Sequence, residues 1–239
     1  MMKHKSAFYR VLLLFVFSCM YSQQEKMTAL QVLKKATEVN SKQEYLSYNS
    51  KYALYLDYTS KKVYEQYMGI VLKKNNINYF KIKNTEFVTF KNYGLKINHE
   101  QKAFVIEKQM KAMEESPLSL TNYLKGFESK LILTDNDNFI CELTPGKISQ
   151  IMLSKVIIYI RKKDYSIAKQ TLFFLEKMES KNAKEKPIYT IPRLEITFSL
   201  RTKDEKRDNL LVTKENYFIE KNNEIVISKR LSAYQLFKL

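Results

Sequence analysis

Between Leu46 and Tyr58 the even positions Leu46, Tyr48, Tyr52, Leu54, Leu56 and Tyr58 are apolar or aromatic, and Ser47, Asn49, Lys51 and Asp57 separate them. A period of two marks a strand with one buried face. Val63 to Lys73 repeats it with Tyr64, Met68, Ile70 and Leu72, and Gly69 in mid-strand predicts a bulge or a bend. Four further short runs follow: Ile77 to Lys83 with Phe80 and Ile82, Glu86 to Phe90, Leu95 to His99, and Ala103 to Lys108 with Phe104 and Ile106. They are separated by Lys74-Asn75-Asn76, Asn84-Thr85, Lys91-Asn92-Tyr93-Gly94 and Glu100-Gln101-Lys102. Asn tolerates the left-handed backbone of tight hairpins, and connections this short force antiparallel neighbours. Tyr45 to Lys108 therefore reads as a continuous β-meander.

Helical spacing precedes it. Leu30, Leu33 and Ala36, flanked by Ala29, Val32 and Val39, predict an amphipathic helix over Thr28–Val39, with Thr28 as its cap. After the meander, 107–116 reads as a linker or short helix, and Ser119–Phe127 as a second amphipathic helix. Strands follow over Leu131–Thr134, Phe139–Leu143, Ile151–Arg161, Tyr165–Leu175 and Arg193–Leu200. The run 151–161 is apolar on both faces and so predicts an interior strand. Residues 176–192, with Pro187 and Pro192, read as a long connection, 201–209 as a polar separator, and Tyr217–Phe237 as a last β segment. Strands in series exclude a doubly wound parallel sheet. The fold class expected is mainly β (α+β), a curved antiparallel sheet or incomplete barrel of about ten to thirteen strands with helices covering the concave side.

The N-terminus adds a destination. Lys3, Lys5 and Arg10 precede the apolar run Val11–Phe17, and Ser18 to Ser22 is small or polar, so residues 1–22 read as a secretory signal. A single domain over 23–239 follows. No later run approaches the ~20 apolar residues of a membrane helix, so no membrane span is expected in the mature chain. Val16-Phe17-Ser18-Cys19 is similar to a bacterial lipobox, which makes Cys19 a candidate for lipidation and membrane anchoring; otherwise the product is periplasmic. Cys141 alternates with Phe139 and Leu143 on an apolar face and reads as a small buried side chain.

Charge changes less than it promises. The formal net charge is +16, but of 41 basic residues only six are Arg, and the Lys are spread over nearly every turn. Phosphate recognition favours Arg-rich clusters interleaved with aromatics, so no nucleic-acid partner is expected; a solvated surface that protects strand edges fits better.

Catalytic patterns are missing from the sequence. His99 is the only histidine outside the signal and reads as packed or solvated, no Gly-x-Ser-x-Gly elbow occurs, and the four glycines are not grouped to cradle a phosphate. Asp135-Asn136-Asp137-Asn138 opens like a calcium loop, but Ile140 and Gly146 stand where Gly and Glu are required, so it reads as a hairpin turn. Asp57, Glu65 and Glu195 read as solvated charge rather than a glycosidase pair. No enzyme activity, cofactor or metal is expected.

What is abundant is aromatic and flexible apolar surface: 17 Tyr, 14 Phe and nine Met. Burial of acyl chain gains about 0.8 kcal/mol per CH₂, and Met and Leu repack around chains of varied length. The same residues would equally fill an ordinary core.

Gly69-Ile70-Val71-Leu72, Asn78-Tyr79-Phe80-Lys81-Ile82, the run from Val88 to Asn98 and Ala103-Phe104-Val105-Ile106 resemble successive strands of the LolA/LolB family of lipoprotein carriers and receptors. Leu143-Thr144-Pro145 and the strand from Ile151 resemble that family's later strands. The likeness spans roughly residues 27 to 200. The family's early-strand arginine has no counterpart, because no Arg lies between Arg10 and Arg161, and 201–239 has no match. The resemblance implies an incomplete barrel whose hydrophobic concave face accepts the acyl chains of lipids or lipoproteins. The expected contacts are Leu54, Leu56, Tyr64, Met68, Ile70, Phe80, Ile82, Phe104, Ile106, Ile196 and Phe198. The alternative is a non-catalytic envelope protein that binds a protein partner with the same sheet.

Overall fold

The computed structural model describes residues 27–108, 116–146, 152–181, 187–222 and 224–239. The signal, Cys19 and most of the 107–116 segment lie outside them.

Helix α1 spans Ala29–Lys42. Thr28 caps it: its hydroxyl accepts the Gln31 N–H at 3.3 Å, while the Gln31 side chain accepts the Thr28 N–H at 2.7 Å. Ala29, Val32, Leu33 and Ala36 form its buried stripe.

The meander forms as six antiparallel strands: β1 (Tyr45–Tyr55), β2 (Glu65–Lys74), β3 (Ile77–Ile82), β4 (Thr85–Thr89), β5 (Tyr93–Asn98) and β6 (Ala103–Lys108). Asn75 and Asn76 both adopt left-handed backbone, with φ of 49° and 64°, as a two-residue hairpin requires. Helix α2 (Thr121–Gly126) then leads to β7 (Phe127–Thr134), β8 (Asn138–Pro145), β9 (Leu153–Arg161) and β10 (Ile167–Phe174). A small hairpin of β11 (Met178–Lys181) and β12 (Pro187–Thr190) stands where a plain connection was expected, and β13 (Arg193–Leu200) returns to the sheet. The polar run after it folds as α3 (Glu205–Val212), because Asp204 caps the Arg207 N–H at 3.1 Å. A second hairpin, β14 (Phe218–Lys221) and β15 (Glu224–Ile227), and a final strand β16 (Gln235–Lys238) complete the chain.

Twelve strands form one open, curved sheet in the order β16-β6-β5-β4-β3-β2-β1-β13-β10-β9-β8-β7. Every pairing in it is antiparallel except β16 with β6. β9 lies inside the sheet, between β8 and β10. The twelve strands of the sheet fall within the ten to thirteen expected, and its two separate hairpins and α3 bring the described residues to sixteen strands and three α-helices.

Gly69 makes no bulge. It pairs in register with Ser50 on one side and Ile82 on the other. Its missing side chain is required by proximity: a Cβ there would stand 2.4 Å from the Lys81 carbonyl and 2.6 Å from Ser50 Oγ. Gly94 likewise belongs to β5 rather than to a turn.

Both faces of the sheet are covered, by different parts of the chain. On one, the helix face, α1 packs over Tyr48, Tyr52, Val71, Cys141, Leu143, Val156, Ile158, Ile196 and Phe198. On the other, the tail face, α3 and the segment around β14 and β15 bury Leu72, Tyr79, Val88, Leu95, Ile97, Phe104 and Ile106. Residues 201–239, unmatched in the sequence, thus supply the second core. Each fully buried side chain of this kind contributes about 1.5–3 kcal/mol.

Candidate functional site

The predicted contact residues do not line one surface. Leu54, Phe80, Ile82, Ile196 and Phe198 belong to the helix face, whereas Met68, Ile70, Phe104 and Ile106 belong to the tail face. Leu56 and Tyr64 lie in the β1–β2 connection. The reason is parity. Tyr48 pairs with Val71, so even residues of β1 share a face with odd residues of β2, and even numbering flips sides across the connection. Phe104 and Ile106 are sealed beneath the tail, at 0% and 1% exposure.

Register identifies a different set. Tyr48, Val71, Phe80, Phe87, Lys96, Val105 and Phe237 stand opposite one another from β1 to β16, forming a single row on the helix face. Adjacent strands lie about 4.8 Å apart, so the stretch from Val71 to Phe237 runs roughly 24 Å across the sheet. Phe80 and Phe87 stack with centroids 4.3 Å apart, and the Lys96 ammonium lies over the Phe87 ring at 5.9 Å.

Burial falls along this row. Tyr48 and Val71, near α1, are buried; Phe80, Phe87 and Val105 are half-buried; Phe237 is 41% exposed. Among the described residues, α1 and the segment leading into α2 cover the beginning of the row. The neighbouring row is polar: Lys73 pairs with Asn78, and Asn78 with Thr89. The helix face thus carries an apolar strip with a hydrophilic border.

A cavity of about 370 Å³ opens at the α1 end of this border, among Thr37, Asn40, Ser41, Leu46, Val71, Lys73, Asn78, Leu118 and Leu120. Lys73 Nζ donates to the carbonyls of Asn40 (3.0 Å) and Ser41 (2.9 Å) at the end of α1. Burial pushes the Lys73 ammonium below the usual lysine range. Among the described residues, Asn40 Nδ2 is buried without a hydrogen-bond partner.

The other chemistry considered from the sequence is structural. His99 Nε2 lies 2.8 Å from Glu86 Oε1 and Nδ1 lies 2.7 Å from the Tyr234 hydroxyl, so the imidazole bridges the sheet to the tail. The Cys141 thiol is fully buried and burial pushes it up to about 12. Asp135 closes its hairpin by accepting the N–H groups of Asp137 (2.8 Å) and Asn138 (2.5 Å). Glu195 pairs with Arg193 at 3.3 Å and Lys169 at 3.9 Å, Arg193 also donates to the Asp57 carbonyl at 3.0 Å, and the Asp57 and Glu65 side chains are exposed. Among the described residues no group of three or more His, Cys, Asp or Glu is placed to hold a metal ion, and no helix is long and apolar enough to cross a membrane.

Val71, Phe87, Val105 and Phe237 were missed by sequence patterns alone. The signal was present for the first two: counting outward from the Asn75-Asn76 turn pairs Val71 with Phe80, and counting from the next turn pairs Phe80 with Phe87.

No protein-family profile and no curated protein matches the sequence. Among solved structures the chain is similar to an uncharacterized conserved protein from Thermus thermophilus, at 12% identity over 88% of this chain and 99% of that one, TM-score 0.47. It is also similar to a DUF1329 family protein from Desulfovibrio piger, at 12% identity over 78% and 96%, TM-score 0.39. A third, a LolA superfamily protein from Nitrosomonas europaea, shares 14% identity over 79% and 99%, with a TM-score of 0.31.

Proposed function

We propose that the protein is an exported, non-enzymatic carrier of the cell envelope that holds acyl chains of lipids or lipoproteins along the uncovered part of its helix face. One observation carries the reading: among the described residues the row Val71–Phe80–Phe87–Val105–Phe237 passes from buried Val71 through three half-buried side chains to exposed Phe237 while remaining apolar apart from Lys96. Soluble proteins leave large contiguous apolar surface where something binds. An acyl chain laid across the strands matches such a strip in length and chemistry, and the polar border of Lys73, Asn78 and Thr89 suits the wetter end of an amphiphile.

Delipidated protein should take up a fluorescent fatty acid. Phe80→Asp, which places a charge in the middle of the strip, should weaken uptake by about tenfold or more, given about 0.8 kcal/mol for each CH₂ left unburied. No uptake by the wild type, with an intact β-sheet by circular dichroism, would sink the proposal.

A second reading is an envelope interaction module. It is favoured by β7, an edge of the sheet among the described residues that exposes Ile132 (41%) and Leu133 (58%). It predicts a co-purifying protein that protects β7 amides from exchange.

A further inference from the structure

The apolar row on the helix face carries one charge. Lys96 stands opposite Phe87 on one side and Val105 on the other. Its ammonium lies 5.9 Å from the centre of the Phe87 ring, so the side chain leans along the strip. Gly94 and Asn98, its same-face neighbours on β5, are uncharged. Glu107 shares that face of β6 but stands opposite Gly94, a diagonal step away, and among the described residues Lys96 makes no ion pair. Lys96 is also exposed, so its ammonium is open to a ligand lying on the strip.

Burial gives the ligand a direction. From Lys96 toward α1 the row runs through half-buried Phe87 and Phe80 to buried Val71, which also belongs to the apolar floor of the cavity with Leu46, Leu118 and Leu120. From β5 to β2 is three strand spacings, roughly 14 Å. An acyl chain gains most where water is excluded, whereas an ionised head stays where it keeps water or finds an opposite charge. We infer that Lys96 is the head-group anchor of the acyl site and sets its specificity: the ligand is a free fatty acid, with its carboxylate on the Lys96 ammonium, its chain over Phe87 and Phe80, and its methyl end at Val71 beneath α1. One ammonium without a partner matches one carboxylate. The inference rests on the acyl-carrier reading and adds to it a ligand class and a direction, an ionised acid being preferred over an esterified, neutral chain.

The test uses Lys96→Met, which removes the charge at an exposed position and keeps an unbranched side chain, and Lys96→Arg, which keeps the charge. Parinaric acid, whose polyene reports binding by fluorescence, is titrated beside its methyl ester at low ionic strength. Wild type should bind the acid about fivefold more tightly than the ester, Lys96→Met should bind the two alike, and Lys96→Arg should keep the preference. Direction is read by methyl NMR with two nitroxide-labelled fatty acids. A label near the carboxylate should broaden the Val105 methyls most, and a label near the methyl end those of Val71 and Leu46. An acid preference that survives in Lys96→Met, or the reverse order of broadening, overturns the anchor and leaves the strip standing. Equal binding of acid and ester by wild type also overturns it, and Lys96 then only interrupts the strip to keep it soluble. If wild type binds neither probe, the acyl-carrier reading itself falls.

Discussion

Arg201 and Asp208 form an ion pair beneath the tail, with the Asp208 side chain fully buried and only 9% of the Arg201 side chain exposed. The Tyr45 hydroxyl donates to the second carboxylate oxygen at 2.6 Å, and Arg201 Nε donates to Ser47 Oγ at 2.8 Å. Tyr45 and Ser47 belong to β1, so this cluster fastens α3 to the sheet and fixes the tail over its second core. Removing one partner of a buried pair leaves the other charge stranded, at a cost of about 3–5 kcal/mol. Asp208→Ala should lower unfolding free energy by that amount in urea, followed by tyrosine fluorescence, and should open the 205–239 segment to protease. A change below about 1 kcal/mol would show that the tail is held elsewhere.

The same cluster sets an acid limit. Burial alone would raise the Asp208 carboxyl, but the bonds from Tyr45 and Arg201 outweigh it and hold the group below the usual carboxylate range. A depressed folded value contributes stability above the unfolded value of about 3.9 and loses it as pH falls through the folded value. Asp164, bonded by Ser166, shifts in the same direction against its own burial. Thermal melts should therefore show wild type and Asp208→Asn far apart at pH 7 and converging below about pH 4. Parallel curves across that range would contradict the assignment.

Gly69→Ala should destabilise the protein by about 1–3 kcal/mol although its backbone lies in an ordinary strand conformation. The added methyl would meet the Lys81 carbonyl, which belongs to the β3 backbone and has nowhere to go, and Ser50 Oγ on the other side. A melting temperature equal to wild type would mean that β2 and β3 separate more readily than their register suggests.

Cys141 should be silent. Fully buried, with its thiol pushed up to about 12, it is protonated at pH 8 and out of reach of reagent. In a Cys19→Ser background, labelling with a disulfide reagent should proceed only at the rate of global opening and speed up in step with added urea. Fast labelling of the native protein would contradict the burial of β8.

The meander was legible because each turn declared itself. Asn75-Asn76 and the other short connections left antiparallel pairing as the remaining option, and α1 announced its start through Thr28, although the reciprocal bond from Gln31 emerged only in the structure. The site was legible only in part. Alternation shows which residues of a strand share a face, but not which face, and the even-numbered rule carried Phe104 and Ile106 into the wrong core. The tail was opaque for another reason. Residues 201–209 are polar, and α3 forms there through the Asp204 cap and the buried Asp208, interactions with partners more than 150 positions away in the case of Tyr45. Phe237 enters the row only because β16 adds in parallel to β6 from the far end of the chain, which no local pattern encodes. The orphaned amide of Asn40 is likewise invisible until α1 is set against β2.

The central claim is that acyl chains lie on the helix face, along Val71, Phe80, Phe87 and Val105, and not on the tail face. Methyl NMR with a spin-labelled fatty acid tests it directly. The account predicts that the label broadens the methyl signals of Val71, Ile82 and Val105 while leaving Leu95, Ile97 and Ile106, on the opposite side of the same strands, sharp. Broadening of Leu95 and Ile97 instead, or no selective broadening at saturating fatty acid, would contradict it.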